Sequence, residues 1–291
     1  MKTSGLDTMN GYEIASLMNN ADAQVHLAVQ AALAPIGEAI EQIAKRLRMG
    51  GNLIYIGAGT SGRLGVLDAS ECPPTFGVPP ERVQGIIAGG DSALRHAAEG
   101  VEDDAPMGRR DLLNAKITNK DAVVGISASG YAPYCCAALD AAREIGALAI
   151  ALSCNKDTPL SKHADIAIEV ATGSEILMGS TRLKAGTATK MVLNMLSTGA
   201  MARTGRIYQN LMVDMSATNF KLKARALRVI QQATGIPHDE AELLLSRAEG
   251  QVKTAILMQL AGVNRQQAEW ALQEGEGRIS KAKEMLQQLR P

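Results

Sequence analysis

Three short loops carry the residues in this chain best suited to holding an anion. Gly57-Ala58-Gly59-Thr60-Ser61-Gly62-Arg63, Ser127-Ala128-Ser129-Gly130 and Gly179-Ser180-Thr181-Arg182 each combine glycine with side-chain hydroxyls. Unpaired backbone N–H groups at a helix start, the helix dipole and nearby hydroxyls together suit a terminal phosphate. Read literally, the first loop is also G-x-G-x-x-G, the fingerprint of dinucleotide sites. Such a site expects an acidic residue about 20 positions on, at the end of the second strand. Here that distance falls at Gly77–Pro79, and the first acid past the second apolar run is Asp91. Helix capping explains any one loop alone, and Ser180 or Thr181 is well placed to cap the helix after the third. Three such loops at the carboxyl ends of parallel strands, where open α/β sheets bind ligands, point to a phosphorylated sugar or polyol.

The elements that must position these loops are legible in the apolar pattern. Five short runs, at 53–56, 83–88, 122–126, 147–152 and 166–170, are too continuous for a sheet with one wet face and read as strands buried on both sides. Helical stretches such as Pro133–Gly146 separate several of them. That alternation predicts a doubly wound, mainly parallel five-stranded α/β sheet, with a long helix over Arg182–Thr204 after it. N-terminal helices precede the sheet. Apolar residues recur at three- and four-residue steps from Val25 to Leu47, where Pro35 is positioned to kink or split the helix and Gly50-Gly51 to end it. Beyond the long helix the chain reads as all-helical and repeats itself: Gly235–Leu245 aligns without gaps to Gly262–Leu272. Two stacked helical hairpins follow, resembling a ubiquitin-associated module. The expected division is 1–42 for the N-terminal helices, 43–206 for the sheet domain and 207–291 for the helical module.

Composition narrows the function. The chain has 291 residues, with 30 Lys+Arg balanced by 30 Asp+Glu, so it lacks the basic excess of a general nucleic-acid binder. It has no apolar run long enough to span a bilayer and no leader-like segment after Met1–Asp7, which predicts a cytoplasmic protein that does not act at membranes. Cys72, Cys135, Cys136 and Cys154 match no metal-ligand spacing and read as buried free thiols, so neither metal nor redox cofactor is expected. His96 and His163 read as surface or structural residues.

Longer stretches carry a family resemblance. The run from Gly57 through Glu71-Cys72-Pro73-Pro74-Thr75-Phe76-Gly77 resembles the N-acetylmuramic acid 6-phosphate etherases, within the wider group of sugar isomerase (SIS) domains. So do Ala98–Asp103, Gly179–Ala188 and Asn210–Asp214. The resemblance spans about residues 7–290. This chain has Tyr131-Ala132 where the family pattern has Arg-Thr, and Ala21-Asp22 where it has an acidic pair.

The resemblance implies cleavage of the D-lactyl ether at C3, giving N-acetylglucosamine 6-phosphate and D-lactate by elimination and then hydration. It makes Glu71 the proton donor and Glu102 the base. It implies substrate or phosphate contacts from Gly59, Thr60, Ser61, Ser127, Ser129, Gly130, Glu175, Ser180, Thr181 and Lys184. By residue type alone, Glu71 is a surface helix-end residue and Glu102 one of an acidic loop. Glu71 nonetheless falls where the helix from Ser61 is expected to run out before Pro73-Pro74, and the negative end of a helix dipole raises a carboxyl pKa, as a general acid needs. Glu175 is the alternative base. A helix carries residues 62–70 roughly 13 Å from the phosphate loop, which predicts a homodimer whose active site is shared between subunits. A phosphosugar isomerase and a non-catalytic sugar-phosphate sensor are the rival readings.

Overall fold

The computed structural model describes residues 5–214 and 220–289. Residues 1–4, which open the stretch read as carrying no leader, lie outside the described residues. The chain divides into two compact units, one of residues 1–70 and 80–198, the other of residues 71–79 and 199–291.

The first unit opens with α1 (Gly11–Asp22), where Asn10 and Glu13 form a capping box that satisfies N–H groups at both positions. Then come α2 (Val25–Ala31) and α3 (Leu33–Arg48). The break falls at Ala32, and Pro35 lies in the first turn of α3 rather than at a kink. A proline belongs there because the N–H it lacks would have had no partner within the helix.

The sheet follows as β1 (Leu53–Gly57), α4 (Gly59–Phe76), β2 (Val83–Ile87), α5 (Ser92–Arg95), α6 (Ala105–Asn114), β3 (Ala122–Ser127), α7 (Pro133–Ile145), β4 (Leu148–Ser153), α8 (Pro159–Lys162), β5 (Ile166–Glu169) and α9 (Lys184–Arg203). All five strands are parallel, in the order β2-β1-β3-β4-β5. Every residue of β1, β3 and β4 is buried, which is why their sequences run apolar without alternation. Strand order reverses between β1 and β3, and Gly57 pairs in register with Ile126. The loops leaving these two strands therefore flank the switch point of the sheet, the place where such folds bind ligands.

Two features seat α4 against β1. Gly62 lies so close to the strand end that a Cβ there would meet the Gly57 carbonyl oxygen at 2.5 Å and the Ile87 side chain at 2.7 Å. Further along, the buried Asp68 carboxylate accepts hydrogen bonds from Tyr55 Oη (2.9 Å), Asn194 Nδ2 (2.7 Å) and Ser197 Oγ (3.2 Å), tying α4 to β1 and α9. The expectation that α4 ends at Glu71 does not hold. The helix continues through Pro73 and Pro74 to Phe76, and Gly77 closes it with φ of +62°. Each proline only removes one i→i−4 bond, to the carbonyls of Ala69 and Ser70. Glu71 is thus an exposed residue on the helix body, and the helix-end argument for its acidity lapses.

In the second unit, a small hairpin of β6 (Ile207–Tyr208) and β7 (Leu211–Met212) was not foreseen from the sequence. It is followed by α10 (Phe220–Thr234), α11 (His238–Arg247), α12 (Val252–Ala261), α13 (Arg265–Glu274) and α14 (Ile279–Gln288). α13 and α14 repeat the spans of α11 and α12 at the offset read from the sequence. Glu249 and Glu276, at matching turns, both adopt left-handed φ, 50° and 56°. Small residues at matching helical positions (Ala241 and Ala268, Ala255 and Ala282) are fully buried and let the hairpins stack closely.

Candidate active site

A cavity of about 380 Å³ opens at the carboxyl ends of β1 and β3. Its lining includes Gly59, Thr60 and Ser61 from the first loop, Ser127 and Ser129 from the second, Thr181 from the third, and Glu102. The first N–H that the start of α4 satisfies internally is that of Gly62, which donates to the Ala58 carbonyl at 3.3 Å. The N–H groups of Gly59, Thr60 and Ser61 have no intrahelical acceptor, so they combine with two hydroxyls and the dipole of an 18-residue helix.

The second loop is braced by its own hydroxyls. Ser127 Oγ accepts from the Gly130 N–H at 3.1 Å, and Ser129 Oγ accepts from the Tyr131 N–H at 3.2 Å. The two oxygens are 3.3 Å apart, so one hydroxyl donates to the other and the accepting one keeps its proton for a ligand. Gly130 does not line the cavity. Its φ of +78° makes the turn, and a Cβ there would lie 2.4 Å from the Thr158 Cβ.

Glu102 sits exposed in a single 3₁₀ turn, Val101–Asp103. Arg63 holds the preceding segment, donating to the carbonyls of Ala93 (2.7 Å), Leu94 (3.1 Å) and His96 (3.3 Å). Glu71 is not among the residues lining the cavity. It lies in the other compact unit, and α4 runs roughly 15 Å from Ser61 to Glu71 at 1.5 Å per residue.

A second cavity, about 850 Å³, adjoins the first and shares Ala128, Gly179 and Thr181 with it. Glu175 and Lys184 line it, along with Asn155, which sequence reasoning missed. Asn155 Nδ2 donates to the Ser129 carbonyl at 3.2 Å, a link between two strand ends that no local motif signals. Glu175 proves to be the cap of α9: its two oxygens accept the N–H groups of Lys184 (3.0 Å) and Ala185 (2.9 Å). That displaces Ser180 and Thr181 from the capping role expected of them. Ser180 lines neither cavity, and its N–H donates to the Leu177 carbonyl.

The thiols nearby are inert. All four cysteines are free and buried. Burial pushes Cys135, beneath the first loop, up to about 12, and Cys154, in the wall of the second cavity, up to about 11. Neither supplies a thiolate near neutral pH. Among the described residues no cluster of His, Cys, Asp or Glu is arranged to hold a metal ion, and no helix is long and apolar enough to cross a membrane.

Relatives decide the family. The chain is 52% identical over 253 residues to the N-acetylmuramic acid 6-phosphate etherase of Glaesserella parasuis, covering 87% of this chain and 83% of that one. It is 54% identical over 256 residues to N-acetylmuramic acid 6-phosphate etherase 2 of Vibrio cholerae, covering 88% and 83%. The chain belongs to the N-acetylmuramic acid 6-phosphate etherase family. Two family models also match: residues 35–143 match the N-terminal SIS domain of glucokinase regulatory protein, and residues 103–199 match the SIS domain. Among solved structures, a phosphoheptose isomerase from Francisella tularensis superposes with a TM-score of 0.51 at 18% identity, over 66% of this chain and 98% of that one. It shares the fold of the sheet unit.

Proposed function

We propose that the cavity between the first two loops receives the phosphate of N-acetylmuramic acid 6-phosphate, and that Glu102 and Glu71 cleave its lactyl ether. The chain is an etherase that converts this substrate to N-acetylglucosamine 6-phosphate and D-lactate. The observation that carries this reading is identity above half to named etherases across 87–88% of the chain, with Glu102 in the wall of the hydroxyl-lined cavity.

The chemistry follows from the substrate. An unactivated ether resists direct hydrolysis, but the ring-opened sugar has a C1 aldehyde that acidifies the C2 proton. A carboxylate takes that proton, a carboxylic acid protonates the departing lactate oxygen at C3, and water adds at C3 of the unsaturated aldehyde. Two carboxyl groups of opposite protonation state suffice. Glu102 is the base and Glu71 the acid. α4 is unbroken between Ser61 and Glu71, which sets them roughly 15 Å apart along the helix, a long reach for one sugar phosphate. A two-fold dimer that brings Glu71 of one subunit to the phosphate cavity of its partner resolves this. A cytoplasmic location accords with four free thiols.

The direct test is to incubate the purified protein with N-acetylmuramic acid 6-phosphate and assay D-lactate enzymatically. Stoichiometric D-lactate with N-acetylglucosamine 6-phosphate is expected. An aldose–ketose product, or binding without turnover, would overturn the assignment.

A further inference from the structure

The second cavity contains a buried cation with no anionic partner among the described residues. Lys184 is 8% exposed, and its Nζ donates to the Thr172 carbonyl oxygen at 2.7 Å. No carboxylate among the described residues pairs with it. The carboxylate beside it in sequence space, Glu175, has both oxygens on the α9 N–H groups. An ammonium taken out of water without a counter-charge is costly, and such groups are retained where an anion arrives to complete them. The phosphate already has its own place, because the helix start and the hydroxyls of the first two loops lie in the adjoining cavity. The α9 start, by contrast, is occupied by Glu175. What remains in the second cavity is one ammonium, in a lining that also includes Thr181, which suits a single negative charge.

We propose that Lys184 recognises the D-lactyl carboxylate and is the residue by which the site distinguishes the ether substrate from its lactate-free product. This rests on the etherase reading above. The geometry fits the substrate: C3, which bears the lactyl group, is three bonds along the sugar chain from C6, which bears the phosphate. The two cavities adjoin across Ala128, Gly179 and Thr181, so a molecule with its phosphate in the first can extend its lactyl group into the second. Lys184 is buried, so its charge is presented to the lactyl end and screened little by solvent. Once the ether is cleaved, lactate and sugar no longer share one binding event, and the product loses the contact that held its precursor.

Binding of C1-reduced sugars tests this without turnover, because an alditol lacks the aldehyde that elimination needs. N-acetylmuramitol 6-phosphate and N-acetylglucosaminitol 6-phosphate differ only in the lactyl group. Titration calorimetry on the wild type should show the muramitol binding at least roughly tenfold tighter, the span of one charge-assisted hydrogen bond. In Lys184→Met that preference should collapse toward unity while the glucosaminitol affinity stays within about threefold, and Lys184→Arg should retain part of it. Equal weakening of both alditols would make Lys184 a structural prop for the Thr172 loop and overturn the proposal. A third arm needs no mutation: the methyl ester of the muramitol carboxylate should bind the wild type no better than the glucosaminitol, and ester binding equal to that of the acid would also refute it. Wild-type protein that discriminates the alditols yet releases no D-lactate would sink the etherase reading and leave the carboxylate site standing.

Discussion

Ser61→Ala isolates the phosphate contact. Ser61 is 8% exposed, lies in the first turn of α4 and faces the hydroxyl-lined cavity, so the substitution removes one oxygen and leaves the backbone N–H in place. Alanine favours the helix, and the hydroxyl makes no hydrogen bond among the described residues that the change would orphan, so stability should shift by less than about 1 kcal/mol. A hydrogen bond to a charged group is worth about 1.5–3 kcal/mol, which converts to a roughly 10- to 150-fold rise in KM. The phosphate is remote from the bonds that break, so kcat should fall far less than KM rises. The assay is initial-rate D-lactate release against substrate concentration, with unphosphorylated N-acetylmuramic acid as a parallel substrate. For the unphosphorylated sugar, wild type and variant should be equally poor. A fall in kcat with KM unchanged, or an equal loss for both sugars, would mean that Ser61 does not hold the phosphate.

Glu102→Gln should abolish both exchange of the C2 proton in D₂O and D-lactate release, whereas retained C2 exchange, followed by NMR, would move the base role to another residue. Gly130→Ala should lower the melting temperature by about 4 °C or more and weaken substrate binding, because alanine at φ of +78° costs about 1–2 kcal/mol and its Cβ would press on Thr158; an unchanged melting curve by calorimetry refutes the strain argument. Mixing inactive Glu71→Gln with inactive Ser61→Ala protein and allowing subunits to exchange should restore D-lactate release if the site is shared, and no recovery despite exchange proven by native mass spectrometry would exclude it. Because burial holds the Cys135 and Cys154 thiols at about 12 and 11, iodoacetamide at pH 8 should leave both unmodified in native protein while labelling them on denaturation, as read by peptide mass spectrometry.

The sheet was legible because strands buried on both faces leave continuous apolar runs, and the 53–56 and 122–126 runs became β1 and β3 within a residue. The two loops that line the first cavity were legible as candidates because glycine and hydroxyl residues follow directly after such runs. Signals that depend on what packs across the fold were not. Asn155 reads as an ordinary turn residue after β4, and only the parallel register of β3 with β4 brings it against the Ser129 carbonyl. The capping role of Glu175 was not legible because the three-dimensional return that lays its carboxylate on the start of α9 leaves no spacing rule behind. The β6–β7 hairpin was missed because two-residue strands carry no period to detect.

Pro73-Pro74 shows how a correct local rule can point to the wrong element boundary. Proline disfavours helix because it removes an N–H and crowds the preceding turn, and a pair of them reads as a stop. In α4 the stop comes only at Gly77, whose left-handed conformation closes the helix with an N–H bond to the Pro73 carbonyl at 3.0 Å. The prolines instead leave the carbonyls of Ala69 and Ser70 without their helical donors, on the turn beside Glu71. Glu71 therefore sits on the body of the helix and not at its terminus. A carboxyl exposed on a helix body, ten residues along α4 from Ser61, meets the substrate only where something brings the two together, and the mixed-subunit experiment tests whether a second subunit does.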